Sequence, residues 1–292
     1  MKLSYVYTAD CHGNVKQINL KTRKVQNEFI GIHMHPIYSI AITPNYEYLF
    51  TSDNKGQLKQ FLVKNFEKGQ NLKLAQSYGK IHAGEIRSMT ITADSLFLFT
   101  SDQDGSLKMF DIQGQFLKKD FGEIHQGMIN SIFATRNNNY LFTSDSFGCV
   151  SQFDISTEEC NLDTQIGKIH NGPIYSITGT ADSKYLFTSD SLGCVLKWSI
   201  QDKEAIFKKE KHKDPIYSLC VSENSKTLFS SDFSGRLLQW RVKNMEVVKD
   251  YGSICDGVIF SMGCVEYSDG NFLVVSDSKG ELKQIEVSKE FC

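Results

Sequence analysis

The chain has 292 residues and a formal net charge of −2, with 32 Lys and Arg set against 34 Asp and Glu. So even a balance gives no electrostatic reason to expect nucleic acid or another polyanion as partner. Met1 to Asp10 carries no apolar h-region and no run is apolar enough to cross a bilayer, so no membrane insertion is expected.

In chain order, the β-prone run Val6–Thr8 leads into Asp10–Gly13 and an alternating run that reaches Ile18. Ile37–Ile40 comes next, then Leu49–Thr51, the turn Asp53–Gly56 and the alternating Leu58–Phe61. The more polar Lys73–Tyr78 precedes Ile86–Met89, Leu98–Thr100, Asp102–Gly105 and Leu107–Phe110. Beyond them lie Ile129–Ile132 and the string from Tyr140 to Phe153 around Asp145–Gly148. It is nearly repeated from Tyr185 to Trp198 around Asp190–Gly193, behind Ile174–Ile177. Ile216–Leu219, Leu228–Ser230, Asp232–Gly235 and Leu237–Trp240 form a sixth copy. Ile259–Met262, Leu273–Val275, Asp277–Gly280 and Leu282–Ile285 form a seventh.

The Asp-x-x-Gly core recurs at spacings of 43, 49, 43, 45, 42 and 45 residues. A period of about 40–45 suits four-stranded propeller blades and also helical HEAT or armadillo arrays. The local pattern decides between them. Period-two runs joined by Asp-x-x-Gly are hairpins, with Asp opening the turn and Gly accepting the positive φ that closes it. The Ile-x-Ser-Ile runs are apolar on both faces, as an innermost strand requires. The Lys73–Tyr78 type is polar, as an outer edge requires. Each unit is therefore read as strands a to d, from the inside outward.

On these residues the chain resembles the WD40-repeat family. The Gly-to-His lead-ins at His33, His82, His125 and His170, the Ser-Asp turns, and Trp198 and Trp240 at the ends of third strands carry the resemblance, which covers essentially all of the chain. It implies an all-β fold: one seven-bladed β-propeller of four-stranded antiparallel blades spanning residues 1–292, with incomplete blades at the ends. The first unit lacks its a strand and the last its d strand, so b and c occur twice. A longer native chain, a strand from a partner, or a different path for Met1–Tyr7 would each account for this.

WD40 blades often hold a buried network of Asp, His, Ser/Thr and Trp. Here the Trp position is filled by Trp198 and Trp240 but elsewhere by Phe61, Phe110, Phe153, Ile18 and Ile285, which have no indole N–H. Only Asp104 sits six residues before that position, as the family's Asp does. The seven repeated Asp lie eight before; Asp10, Asp53, Asp145, Asp190, Asp232 and Asp277 are read first as turn formers and second as partners of the histidines. His33, His82, His125, His170 and His212 are read as structural, because a catalytic group is normally unique. Cys255 replaces the His before the last unit.

No phosphate cradle, nucleophile elbow or paired-Cys zinc motif is present, and Asp102–Gly105 lacks the rest of a calcium loop. No cofactor is expected. Cys11, His12, His33 and His35 fall in loops that would share one face and are the candidate zinc ligands, against the plainer reading of a repeat histidine with solvated neighbours. Eight cysteines without a C-x-x-C pair, two of them (Cys149 and Cys194) at equivalent positions, fit packing in a reducing, cytoplasmic compartment.

The functional signal is apolar. Phe147, Leu192 and Phe233 occupy the tips of consecutive b–c turns, where polar residues are normal. Tyr38, Tyr175, Tyr217 and Phe260 share one a-strand position, with Arg87 and Asn130 in the other units. Placed on the narrow face of a propeller, these residues would form a partner surface; packed between blades, they would be core. The expected function is a non-catalytic scaffold that docks a protein or peptide, as part of a multiprotein complex. The alternatives are a segment of a larger regulatory, cytoskeletal or ciliary assembly protein, and a ligand-binding or enzymatic propeller with Glu85 near the channel mouth. Lys64–Leu72 is read as a surface insertion on the opposite face.

Overall fold

The structure, a computed structural model, describes residues 5–63, 71–157, 159–266 and 271–287. Every regular element in them is a β-strand, and among the described residues no helix is long and apolar enough to cross a membrane. The first sheet holds β1 (Tyr5–Ala9), β2 (Val15–Asn19) and β3 (Lys24–Phe29). The second holds β4 (Ile37–Ile42), β5 (Tyr48–Asp53), β6 (Gln57–Leu62) and β7 (Lys73–Lys80). The third holds β8 (Ile86–Ile91), β9 (Phe97–Asp102), β10 (Ser106–Asp111) and β11 (Phe116–Glu123). The fourth holds β12 (Ile129–Ala134), β13 (Tyr140–Asp145), β14 (Cys149–Asp154) and β15 (Asn161–Lys168). The fifth holds β16 (Ile174–Gly179), β17 (Tyr185–Asp190), β18 (Cys194–Ser199) and β19 (Glu204–Glu210). The sixth holds β20 (Ile216–Val221), β21 (Thr227–Asp232), β22 (Arg236–Arg241) and β23 (Glu246–Ser253). The last holds β24 (Ile259–Glu266), β25 (Asn271–Asp277) and β26 (Leu282–Val287).

These are the seven antiparallel sheets of a seven-bladed β-propeller, with three strands described in each terminal sheet and four in the others. Most of the predicted Lys64–Leu72 insertion lies outside the described residues. Two compact units divide the chain, one running to Ala134 and the other from Thr135.

In the first unit, Val15 and Phe29 of the first sheet pack on Ile37, Leu49 and Phe61 of the second. Phe50 and Leu58 in turn pack on Ile86, Leu98 and Phe110 of the third. In the second unit, Phe187 and Val195 meet Ile216, Leu228 and Trp240, and Phe229 and Leu237 meet Ile259, Leu273 and Val275. The core thus lies between successive sheets, and each fully buried side chain of this size contributes about 1.5–3 kcal/mol.

Burial differs from the expectation in one respect. The second strand, not the first, is the deeply covered one: β5, β9, β13 and β17 are buried from their second residue to their last. The a strands bury their leading Ile and leave much of their remaining length only partly covered. A b strand is paired on both edges and packed on both faces, whereas an a strand has a partner on one edge only.

The a–b turns repeat a device that the sequence pattern alone did not single out. Hydroxyls of Thr43, Thr92, Thr135, Thr180 and Ser222 accept the amides of Tyr48, Phe97, Tyr140, Tyr185 and Thr227 at 2.9–3.0 Å. Such a side chain satisfies a buried N–H that the turn would otherwise orphan.

Candidate functional site

Each repeated Asp holds its own turn. Oδ1 of Asp53 accepts the amides of Lys55 and Gln57, and Oδ1 of Asp190 those of Leu192 and Cys194, at 2.9–3.0 Å. Asp10, Asp102, Asp145, Asp232 and Asp277 repeat the pattern two and four residues on. The Gly is required by close approach as well as by φ. A Cβ on Gly56 (φ +80°) would stand 2.2 Å from the carbonyl oxygen of His82.

In Asp53, Asp102, Asp190 and Asp232 the other carboxylate oxygen serves a histidine, so these turn formers are histidine partners as well. His33 Nδ1 lies 3.1 Å from Asp53 Oδ2, His82 2.9 Å from Asp102, His170 2.7 Å from Asp190 and His212 2.6 Å from Asp232. Their Nε2 atoms lie 2.7–2.8 Å from the hydroxyls of Thr51, Thr100, Thr188 and Ser230. A carboxylate has no proton to give, so Nδ1–H donates and Nε2 accepts from the hydroxyl. His125 is buried as well. A sequence signal existed: each His precedes its Asp by 20 residues, and each hydroxyl residue precedes the same Asp by two.

Electrostatics arise from this bonding. Burial alone would raise the carboxyls of Asp102, Asp190 and Asp232, but their histidine partners and turn amides outweigh it and hold all three below the usual carboxylate range. Burial pushes His33 below the usual histidine range, against the pull of Asp53.

The full network forms around Trp240. Its indole N–H donates to Ser230 Oγ at 2.7 Å, Ser230 donates to His212, and His212 donates to Asp232. Trp198 is also buried, but its Nε1 has no hydrogen-bond partner among the described residues. In the last sheet Cys255 stands in the histidine's place, so the buried Oδ2 of Asp277 receives no histidine and faces the Cys255 thiol instead. Burial raises the Cys255 thiol, and Asp277 adds to the shift.

The zinc candidates divide. His33 has both ring nitrogens committed to Asp53 and Thr51, which leaves neither for a metal in this arrangement. Cys11 Sγ lies 3.5 Å from His12 Nδ1, both exposed. His170, Asp190 and Cys194 cluster within 4.8 Å, but the histidine there is held as in the other blades and burial pushes the Cys194 thiol up to about 12.

The aromatic positions form a defined patch in the second unit. Tyr175 and Tyr217 stack at 4.6 Å and 7°, Phe260 meets Tyr217 edge-on at 5.8 Å and 90°, and Phe233 lies at 6.2 Å and 43°. Phe233 and Phe260 are 54% and 57% exposed, while Tyr175 and Tyr217 are half-buried. A backbone device places them. The ladders skip Tyr38, Arg87, Tyr175, Tyr217 and Phe260, each an extra residue between the paired Ile and Ser. Such a β-bulge re-aims its side chain out of the strand's alternation. The turn tip is tied to the same place, since the Phe233 amide donates to the Pro215 carbonyl at 2.9 Å.

Phe147 and Leu192 are exposed at their own turns, 55% and 59%, but Phe147 makes no ring contact with this patch among the described residues. In the first unit the matching positions also meet: the Arg87 guanidinium stands 5.1 Å over the Tyr38 ring and pairs with Glu85 at 2.7 Å.

Two segments, residues 74–111 and 204–241, match the family described as WD domain, G-beta repeat. Each runs from the outer strand of one sheet to the third strand of the next, and so includes one His, hydroxyl and Asp set: His82, Thr100 and Asp102, or His212, Ser230 and Asp232. No curated protein matches the chain significantly. The chain thus carries WD40 repeats at two sites, and the strand order and Asp turn of those segments recur through the other sheets of a seven-bladed β-propeller.

Proposed function

We propose that this protein is a non-catalytic interaction platform and that a protein or peptide docks on the patch formed by Tyr175, Tyr217, Phe233 and Phe260. WD40 propellers commonly mediate protein interactions. The observation that carries the reading is the exposure of Phe233 and Phe260 beside a half-buried Tyr pair, four rings drawn from three successive sheets, three presented by bulges and Phe233 by a turn tip. Rigid aromatic side chains offer large contact area at small entropic cost, and they are frequent interface anchors. Phe147 and Leu192 extend the apolar surface along the same series of turns, and Arg87 over Tyr38 is the corresponding position of the first unit. Buried thiols at Cys160, Cys194 and Cys255 suit a reducing, cytoplasmic setting.

The test is affinity capture with tagged wild-type chain, then titration of the purified recurrent partner against a Phe233→Asp, Phe260→Asp double variant. Binding should fall at least tenfold, while melting falls only by the few degrees that two lost ring contacts account for. A large drop in melting temperature would show these rings to be core and would overturn the reading. A parallel Phe147→Asp, Leu192→Asp variant maps whether the surface reaches those tips.

A further inference from the structure

Cys220 on β20 and Cys264 on β24 belong to different sheets of the second unit, yet their sulfurs lie 3.3 Å apart. Neither is in a disulfide and both are only partly buried, at the margin of the cluster built on Ile259, Leu273 and Val275. A disulfide bond is about 2.05 Å long, so the sulfurs need to close by only about 1.2 Å. Among the other described cysteines, Cys160, Cys194 and Cys255 are buried, Cys149 is partly buried, and exposed Cys11 has a histidine beside its sulfur.

We propose that Cys220 and Cys264 are an oxidation site, a dithiol that a two-electron oxidant of the peroxide class converts into a disulfide joining the sixth and seventh sheets. One thiolate attacks the peroxide O–O bond, giving a sulfenic acid and one water. The second sulfur then displaces the sulfenic hydroxyl as a second water and forms the S–S bond. Two thiols and one peroxide thus become one disulfide and two waters, the electron pair passing from sulfur to oxygen.

The bond would have a mechanical effect. The strands it joins also carry Tyr217 and Phe260, which already meet edge-on at 5.8 Å. A covalent link three residues beyond Tyr217 and four beyond Phe260 fixes the spacing of those strands and restrains the unfolded chain.

The experiment uses the full chain with Cys11→Ser and Cys292→Ser, and the monomer is isolated by gel filtration so that links between molecules do not enter the result. After stoichiometric hydrogen peroxide, free thiols are alkylated and the protein is digested with trypsin and chymotrypsin. The expected result is a linked pair of peptides containing Cys220 and Cys264, the loss of two hydrogens in the intact mass, and a higher melting temperature, all reversed by dithiothreitol. Cys220→Ser should abolish the link and the rise in melting. On the reduced chain, without oxidation, phenylarsine oxide should protect both thiols from alkylation together, because it bridges paired sulfurs. Recovery of both cysteines alkylated after peroxide, or as separate sulfinic acids, overturns the proposal, as does failure of the arsenical to protect them.

Discussion

The rings of Tyr175 and Tyr217 lie 4.6 Å apart and 7° from parallel, although 42 residues separate them in the chain. They meet because each is the extra residue of a bulge at the start of its a strand, and those strands pack side by side. Tyr217 also touches Phe233 and Phe260, so it is the hub of the patch. Aromatic pairs contribute about 0.5–1.5 kcal/mol each beyond area burial. Tyr217→Ala should therefore cost about 2–3 kcal/mol in urea denaturation, and Phe260→Ala, with one such contact, under about 1.5 kcal/mol. Equal costs would mean that the hub arrangement is not what stabilises the patch.

The two tryptophans allow a comparison within one molecule. Both are buried, but Trp240 donates to Ser230 while Trp198 has no acceptor among the described residues. Replacing either with Phe removes the same atoms, so the difference isolates the hydrogen bond. Trp240→Phe should destabilise by about 1–3 kcal/mol more than Trp198→Phe, because it also leaves the Ser230 hydroxyl short of a donor. Chemical denaturation of the two variants side by side measures this.

Stability should fall in acid in two steps. His33 titrates lower in the folded protein than in the unfolded chain, where a histidine has a pKa of about 6.5. Between those values the unfolded chain binds more protons, so stability declines as pH falls from about 6.5 through the folded value. Asp102, Asp190 and Asp232 act later. Burial opposes their ionisation, but histidine and amide bonds prevail, and their contribution is full above ~3.9 and lost as pH falls through their depressed folded values. His33→Asn should lower overall stability yet flatten the slope in the window nearest neutrality. An unchanged slope in a pH series of urea denaturations would remove His33 from this account.

Glycines at positive φ are not equivalent. Gly79 (φ +70°) has no atom within 4 Å of a would-be Cβ, whereas Gly56 (φ +80°) faces the His82 carbonyl oxygen at 2.2 Å. Gly79→Ala carries only the left-handed backbone penalty of about 1–2 kcal/mol. Gly56→Ala must also push apart the turn and the lead-in to the next sheet, and should cost more than about 4 kcal/mol, or fail to fold. Thermal melts of the pair decide it.

The turns, the hairpins and the number of sheets were all legible in the order of the amino acids. Those features are local: an Asp that bonds amides two and four residues on, and a Gly with positive φ three residues on, act within one short segment wherever it stands. Seven repetitions then made the architecture readable. Folding in three dimensions settled how the second oxygen of Asp53, Asp102, Asp190 and Asp232 is used, because each histidine arrives from the preceding connection and is aligned only when strands pair. Folding likewise determines that Trp240 completes a network and Trp198 does not, a matter of side-chain placement within similar strings. The bulges that turn Tyr175, Tyr217 and Phe260 outward, and the packing that brings Cys220 to Cys264, are also products of register and contact between sheets. A repeat pattern aligns positions along the chain; distances between their side chains are set only when neighbouring sheets twist and pack together.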